Sequence, residues 1–337
     1  MTYIKEGYAS PAEQEKILEQ WLDGKIDMKM YQLEEAFGTA SFTNALVDAA
    51  NVSAMQAFGE VPAVWKAVSK IVPRNDFKTN YVVVADGLGL LEKRLEHEPA
   101  TGTKPTDGKE SYAVFPYDKV FSITMEAWAN DATDVLKDQA RKWGHAGVNT
   151  LNDFVWGTSG LLGGTGQTMR DSNALFDATN HGNYATSEAL DYTGLNVAWA
   201  AMRNQTDQGG TQKLGVSPKI LAVSPDIYTM AVHLTQSPNM ISTTTANVPL
   251  GEKNPWGSMG LEVVVVDSLP AGEFVLAADP NIYPVIEMGF YEGRAEPEVL
   301  MQGPDSDDEF FRRRRNFKCQ LIFGGTVLEW RTLYKGT

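Results

Sequence analysis

Cysteine is nearly absent from this chain of 337 residues: Cys319 stands alone, so no disulfide forms within the chain and no thiolate cluster is on hand for zinc. Histidine is almost as scarce. His97, His145, His181 and His233 show no HExxH pair and no cysteine at metal-ligand spacing, and they read as surface or packing residues. The exception is His181, in the turn-rich Asn180-His181-Gly182-Asn183, which is expected to lock that turn by hydrogen bonding. Long apolar runs are missing as well. None approaches the roughly 18–20 residues that cross a bilayer, and Met1-Thr2-Tyr3-Ile4-Lys5-Glu6 lacks the apolar core of a signal peptide; cytoplasmic synthesis without a membrane partner is expected. Basic residues are in deficit. Lys and Arg number 29 against 43 Asp and Glu, and the formal charge of −14 repels phosphate backbones.

What is present is enough for two cores, with 43% hydrophobic residues. Ser10-Pro11-Ala12-Glu13 is a helix start with a capping box, and Ile17, Leu18, Trp21 and Leu22 form an apolar stripe that Gly24 ends. A second helical stretch covers residues 40–58 through Phe42, Leu46, Val47, Ala50, Ala54 and Phe58. Both are short for burying their own faces. Residues 1–58 therefore read as an N-terminal arm packed on neighbours, the alternative being a small helical subdomain packed on its own chain. Residues 79–86 and 112–123 are β-rich. The polar stretch between them, with Glu98 and Lys104 in its turn-rich tip, is longer than an ordinary connection inside a compact domain.

Asn130 or Asp131 caps the longest helical pattern, in which Val135, Leu136, Ala140, Trp143, Leu151, Phe154 and Val155 recur until Gly157. Gly144 and Gly147 each cost about 1 kcal/mol of helix propensity there, which points to a bend or to close packing. A helix over residues 187–204, a strand over 218–223, a helix over 225–234 and strands over 261–267 and 273–279 alternate as an α/β unit. The final segment has period two. Phe317, Cys319, Leu321 and Phe323 share a face, whereas Leu328 and Trp330 follow Gly324-Gly325 in the opposite register; a bulge or tight hairpin between two long strands is expected at the glycines.

Catalytic motifs are present only in broken form. Gly160-Leu161-Leu162-Gly163-Gly164-Thr165-Gly166-Gln167-Thr168 has Gln167 where a phosphate loop needs lysine, and it follows a helix rather than a strand. Asp86-Gly87-Leu88-Gly89 begins a dinucleotide fingerprint whose third glycine position holds Glu92. Gly157-Thr158-Ser159-Gly160-Leu161 lacks the last glycine of a nucleophile elbow. The sharpest charge contrast is Asp305-Ser306-Asp307-Asp308-Glu309 before Arg312, Arg313, Arg314 and Arg315. Strand geometry over the arginines would send alternate side chains to opposite faces, which favours ion pairs with carboxylates of neighbours over a DNA patch and over a merely solvated run.

Residues 217–225, Ser217-Pro218-Lys219-Ile220-Leu221-Ala222-Val223-Ser224-Pro225, lead through Gly260-Leu261-Glu262-Val263-Val264-Val265-Val266-Asp267 to Ala277-Ala278-Asp279-Pro280. This order resembles the major capsid (major head) proteins of tailed bacteriophages, and the upstream Leu175-Phe176 with His181-Gly182-Asn183 resembles the Mu-like head-subunit branch. The likeness runs over most of residues 60–337. It implies an α+β, Hong Kong 97-like fold: an N-terminal arm over residues 1–58, a peripheral domain over 59–186 with an extended β-hairpin loop at 88–116 and a spine helix at 131–157, an α/β axial domain over 187–290, and return strands over 291–337 that complete the peripheral domain. It implies a structural protein rather than an enzyme, with no catalytic residue, cofactor or metal. Such a protein assembles with itself, through pentameric and hexameric capsomers, into an icosahedral head around double-stranded DNA held without sequence-specific binding. The implied location is the virion, after assembly in the host cytoplasm, with scaffold, portal and decoration proteins as further partners. Trp21, Leu22, Glu98, Lys104, Arg312, Arg313, Arg314 and Arg315 are the candidate inter-subunit contacts. Two other classes stay open: an encapsulin-type compartment of the same fold that encloses cargo enzymes, and an α/β hydrolase or nucleotide-binding enzyme resting on the broken motifs.

Overall fold

The computed structural model describes residue 20 and residues 39–85, 107–124, 126, 133–207, 210, 212–239, 253–302 and 307–337. In chain order these hold α1 (Thr39–Glu60), β1 (Ser69–Arg74), β2 (Asn80–Ala85), β3 (Asp107–Tyr112), β4 (Phe115–Thr124), α2 (Thr133–Trp156), β5 (Tyr184–Ala185), α3 (Tyr192–Asn204), β6 (Pro218–Val223), α4 (Tyr228–Gln236), β7 (Glu262–Val265), β8 (Phe274–Ala278), β9 (Ile286–Tyr291), β10 (Glu298–Met301), α5 (Asp307–Arg312), β11 (Arg314–Val327) and β12 (Leu333–Gly336). The chain divides into two units. One takes the residues up to Pro62 with Phe115–Thr150 and Arg294–Phe323; the other takes Ala63–Val114, Leu151–Gly293 and Gly324–Thr337.

In the first unit β4 and β10 both run antiparallel to β11, Phe121 facing Phe317 and Val299 facing Cys319. Phe317 and Phe323 are wholly buried, and Tyr117 stacks on Phe323 with centroids 4.3 Å apart. Helix α1 buries Ala50, Ala54, Ala57 and Phe58, one stripe at helical spacing. The Asn51 side chain accepts from the Val299 amide at 2.6 Å and donates to its carbonyl at 3.2 Å, standing in for a neighbouring strand. For Ala50, Ala54, Ala57 and Phe58 the expected burial on neighbouring subunits thus gives way to burial in the chain itself. The reason is side-chain size: a Cβ on Gly144 of α2 would collide with the Ala54 carbonyl and come within 2.7 Å of Ala57 Cβ, so small residues let the two helices touch.

The second unit is built on a sheet in the order β5-β12-β8-β6-β7, with β6 parallel to β7 and β8 antiparallel to both β6 and β12. All five residues of β8 are buried, as are the last four of β6, the unbroken apolar pattern of strands covered on both faces. Asp191 caps α3 by accepting from the Gly194 amide at 2.7 Å. In the same unit β1 pairs in parallel with β9, and Trp65 packs on Phe290. Strands β2 and β3 form an antiparallel ribbon that joins no other strand among the described residues.

Two expectations about strands change. The β-rich run from Tyr112 onward splits at Ala113-Val114 into β3 and β4, whose partners differ. At the other end of the chain β11 passes through Gly324-Gly325 without reversing, Trp330 lies in a 3-10 turn, and β12 enters the sheet of β8 instead of following β11 as a second long strand. The glycines serve close backbone approach. A Cβ on Gly324 would strike the Ala113 carbonyl, and one on Gly325 would lie 2.6 Å from Met288 Sδ.

Candidate assembly surface

Trp21, Leu22, Glu98 and Lys104 lie outside the described residues. The four arginines of residues 312–315 are described, and the structure gives each a different setting. Arg312 ends α5 and pairs with Asp308 one turn back at 3.1 Å. Arg313 sits between helix and strand with φ of 50° and reaches Glu126 at 3.4 Å. Arg314 opens β11 and is exposed, while Arg315, opposite Ile123, is buried. The expectation of one strand over all four is corrected: the helix end and the left-handed residue between them fan the first guanidinium groups apart before strand alternation starts. Three charges remain on the surface, where the pairs of Arg312 and Arg313 contribute about 0–1 kcal/mol each.

The ribbon of β2 and β3 is the second surface. On β2, Tyr81 is 70% and Val83 51% exposed, a large apolar offering for so narrow an element. On β3 the alternate residues Gly108, Glu110 and Tyr112 are buried while Lys109 and Ser111 are exposed. The buried face is polar. Glu110 accepts from the Arg170 amide at 2.9 Å, and Arg170 reaches Glu329 at 3.0 Å and the Leu328 carbonyl at 3.2 Å with its guanidinium 4.7 Å from the Trp330 ring centre. Tyr112 donates to Glu287 at 2.7 Å, and Arg74 bridges both of them. Burial pushes the Glu110 carboxyl above the usual range, against the pull of Arg170, and burial with the Glu287 bond raises the Tyr112 phenol strongly.

Of the broken motifs, Asp86-Gly87-Leu88-Gly89 with Glu92 lies outside the described residues, and the other two resolve into structural parts. Gln167 of the glycine-rich segment donates to Thr326 at 2.9 Å and to the Val327 carbonyl at 3.3 Å. His181 meets the Leu175 carbonyl at 2.9 Å and Asp171 at 2.8 Å and stacks on Trp330, so both ring nitrogens are committed and none is left for Ser159. Burial pushes the Cys319 thiol up to about 11, which keeps it protonated and unreactive. No cluster of ligands fit for a metal ion occurs among the described residues.

The sequence profile of the phage capsid proteins matches residues 108–336, about two thirds of the chain, from β3 to the end of β12. The chain belongs to the phage capsid protein family. Its role is the structural one of a major capsid protein of the virion. Solved structures similar to this capsid protein include those from Microbacterium phage Oxtober96 (TM-score 0.53, 10% identity, 81% of this chain and 90% of that one), the capsid of a native GTA particle (0.52, 12%, 81% and 89%) and Gordonia phage Cozz (0.51, 13%, 82% and 86%). At such identities they bear on the fold alone, and the fold is the Hong Kong 97-like one. No curated protein sequence matches the chain significantly.

Sequence reasoning missed the Arg170 and Trp330 cluster. Its members are 60 residues apart for Glu110 and Arg170 and 159 for Arg170 and Glu329, and no local pattern links them.

Proposed function

We propose that this capsid protein assembles with itself through pentameric and hexameric capsomers into an icosahedral head around double-stranded DNA, without catalysis and without reading sequence. The observation that carries this reading is the ribbon. Two strands alone are marginal in water, yet here they flank a connection of more than twenty residues and expose Tyr81 and Val83. A neighbouring subunit is the natural cover for such a surface. The charge of −14 suits an inner wall that lies near DNA without gripping it. Scaffold, portal and decoration proteins, assembly in the host cytoplasm and kinship with the Mu-like branch through Leu175, Phe176, His181, Gly182 and Asn183 belong to the same proposal, as do Trp21, Leu22, Glu98, Lys104 and the exposed arginines as inter-subunit contacts.

Expression of the chain alone and with a scaffold, followed by light scattering and negative-stain microscopy, tests it. Closed shells or ring-shaped capsomers are expected. A monomer of 37.0 kDa across a wide concentration range under both conditions would sink the proposal, and shells filled with protein cargo instead of DNA would favour a compartment.

A further inference from the structure

Apolar contacts are non-directional, so a ribbon resting on them is free to swing; hydrogen bonds have preferred angles. The buried face of β3 carries two polar anchors, one at Glu110 and one at Tyr112. Between them and the tip lies Gly108, where a Cβ would come 2.5 Å from Arg170 Nε, so the Arg170 side chain lies directly against the strand. We propose that Glu110 is a pH-sensitive latch that holds the β2–β3 ribbon at a set angle, tighter when its carboxyl is protonated and looser when it is ionised. The proposal rests on the reading of the ribbon as the base of an element that reaches a neighbouring subunit.

Burial sets the sign, and the groups facing Glu110 do not reverse it. Its carboxylate accepts the Arg170 amide and lies near the Arg170 guanidinium, but Asp171 on the same segment and Glu329 on the turn before β12 oppose its charge. Arg170 and Arg331 are both already engaged by Glu329, at 3.0 and 2.9 Å, and Asp171 is engaged by His181. At the second anchor Glu287 is matched by Arg74 and Tyr112. Ionised Glu110 therefore gains one amide donor and part of a shared guanidinium in return for losing water. Protonation removes the repulsion and leaves a carbonyl that still accepts the Arg170 amide.

Because the carboxyl titrates higher when buried than when the ribbon swings free, the extra hold is complete below about pH 4.3, the ordinary glutamate value, and is lost as pH rises through the higher docked value. Hydrogen exchange of the dispersed full-length subunit reads this directly, with strand β8 as internal reference and rates corrected for the intrinsic effect of pH. In the wild type, protection over residues 107–112 should rise several-fold between pH 7 and pH 4.5. Glu110→Gln, which keeps the acceptor and removes the charge, should be protected at both pH values at least as well as the wild type at pH 7. Glu110→Ala should exchange roughly tenfold faster at both. Wild-type protection that is flat or falls on acidification, or a Gln variant as labile as the Ala variant, overturns the latch. Should the Ala variant lose protection in β8 as well, the wild type and Gln comparison decides alone. None of these readouts needs a shell, so failure of the latch and failure of assembly are separable.

Discussion

Lys335 is fully buried, and its ammonium is tolerated because three partners converge on it. Nζ stands 2.6 Å from Glu273 Oε2, an ion pair by distance though off the angle of a hydrogen bond, and 3.0 Å from the Gly164 carbonyl, with the Phe176 ring 5.7 Å away. Removing one member of a buried pair strands the other. Lys335→Ala is expected to destabilise the chain by about 3–5 kcal/mol in chemical denaturation, whereas Lys335→Met combined with Glu273→Leu should lose far less. Asp171 offers a pH test at the same scale. Burial pushes its carboxyl up, but bonds from Asn173 and His181 outweigh this and leave it lowered to about 2. A depressed carboxyl stabilises the fold above its unfolded value of about 3.9 and ceases to do so as pH falls toward 2. Denaturation curves across that interval should show the loss in the wild type and a shallower pH dependence in Asp171→Asn.

At the scale of the element, glycine in α2 shows propensity and packing in opposition. Alanine at residue 144 would gain about 1 kcal/mol of helix propensity, yet its Cβ has no room against Ala54 and Ala57. Backbone atoms yield little, so packing prevails. Gly144→Ala is expected to destabilise the chain by about 1–3 kcal/mol. Gly59→Ala in α1, where nothing lies within 4 Å, should instead be neutral or stabilising by up to about 1 kcal/mol, and thermal melts of the two variants side by side check the pair. Strand β4 illustrates a different restraint. It leaves Phe115 and Val120 exposed, and the Pro116 and Lys119 along it discourage indiscriminate pairing at that edge.

For the whole molecule, the exposed arginines separate stability of the subunit from stability of a shell. Arg312 and Arg313 each have a surface partner within the chain, worth little, so replacing Arg312, Arg313 and Arg314 with lysine should move the melting of the dispersed subunit by under about 0.5 kcal/mol. Lysine keeps the charge and loses the planar fork that matches a carboxylate. Empty shells of the variant should therefore disassemble at lower temperature than wild-type shells. Unchanged shells, together with salt-dependent DNA binding by the wild type, would assign these residues to DNA instead. Arg315 is kept out of the variant because it is buried.

Local chemistry was legible in the residues themselves. The apolar run of residues 218–223 became β6 at the same bounds, the long helical pattern of residues 131–157 became Thr133–Trp156, and His181 locks its turn, since periodicity, capping and turn bonding act over a few residues. The order of motifs along the last third also sufficed to indicate the family, which the profile match then showed. What tertiary structure decided were the choices between partners. Gly324 and Gly325 read as a bulge or a tight hairpin, and only the crowding at Ala113 and Met288 shows that they serve close backbone approach instead. Strand β12 carries no mark of its sheet, and the burial of Lys335 against Glu273 and Gly164 becomes visible only once β12 lies beside β8. Pairing between segments far apart in the chain depends on which surfaces meet, and no short window of sequence contains both of them.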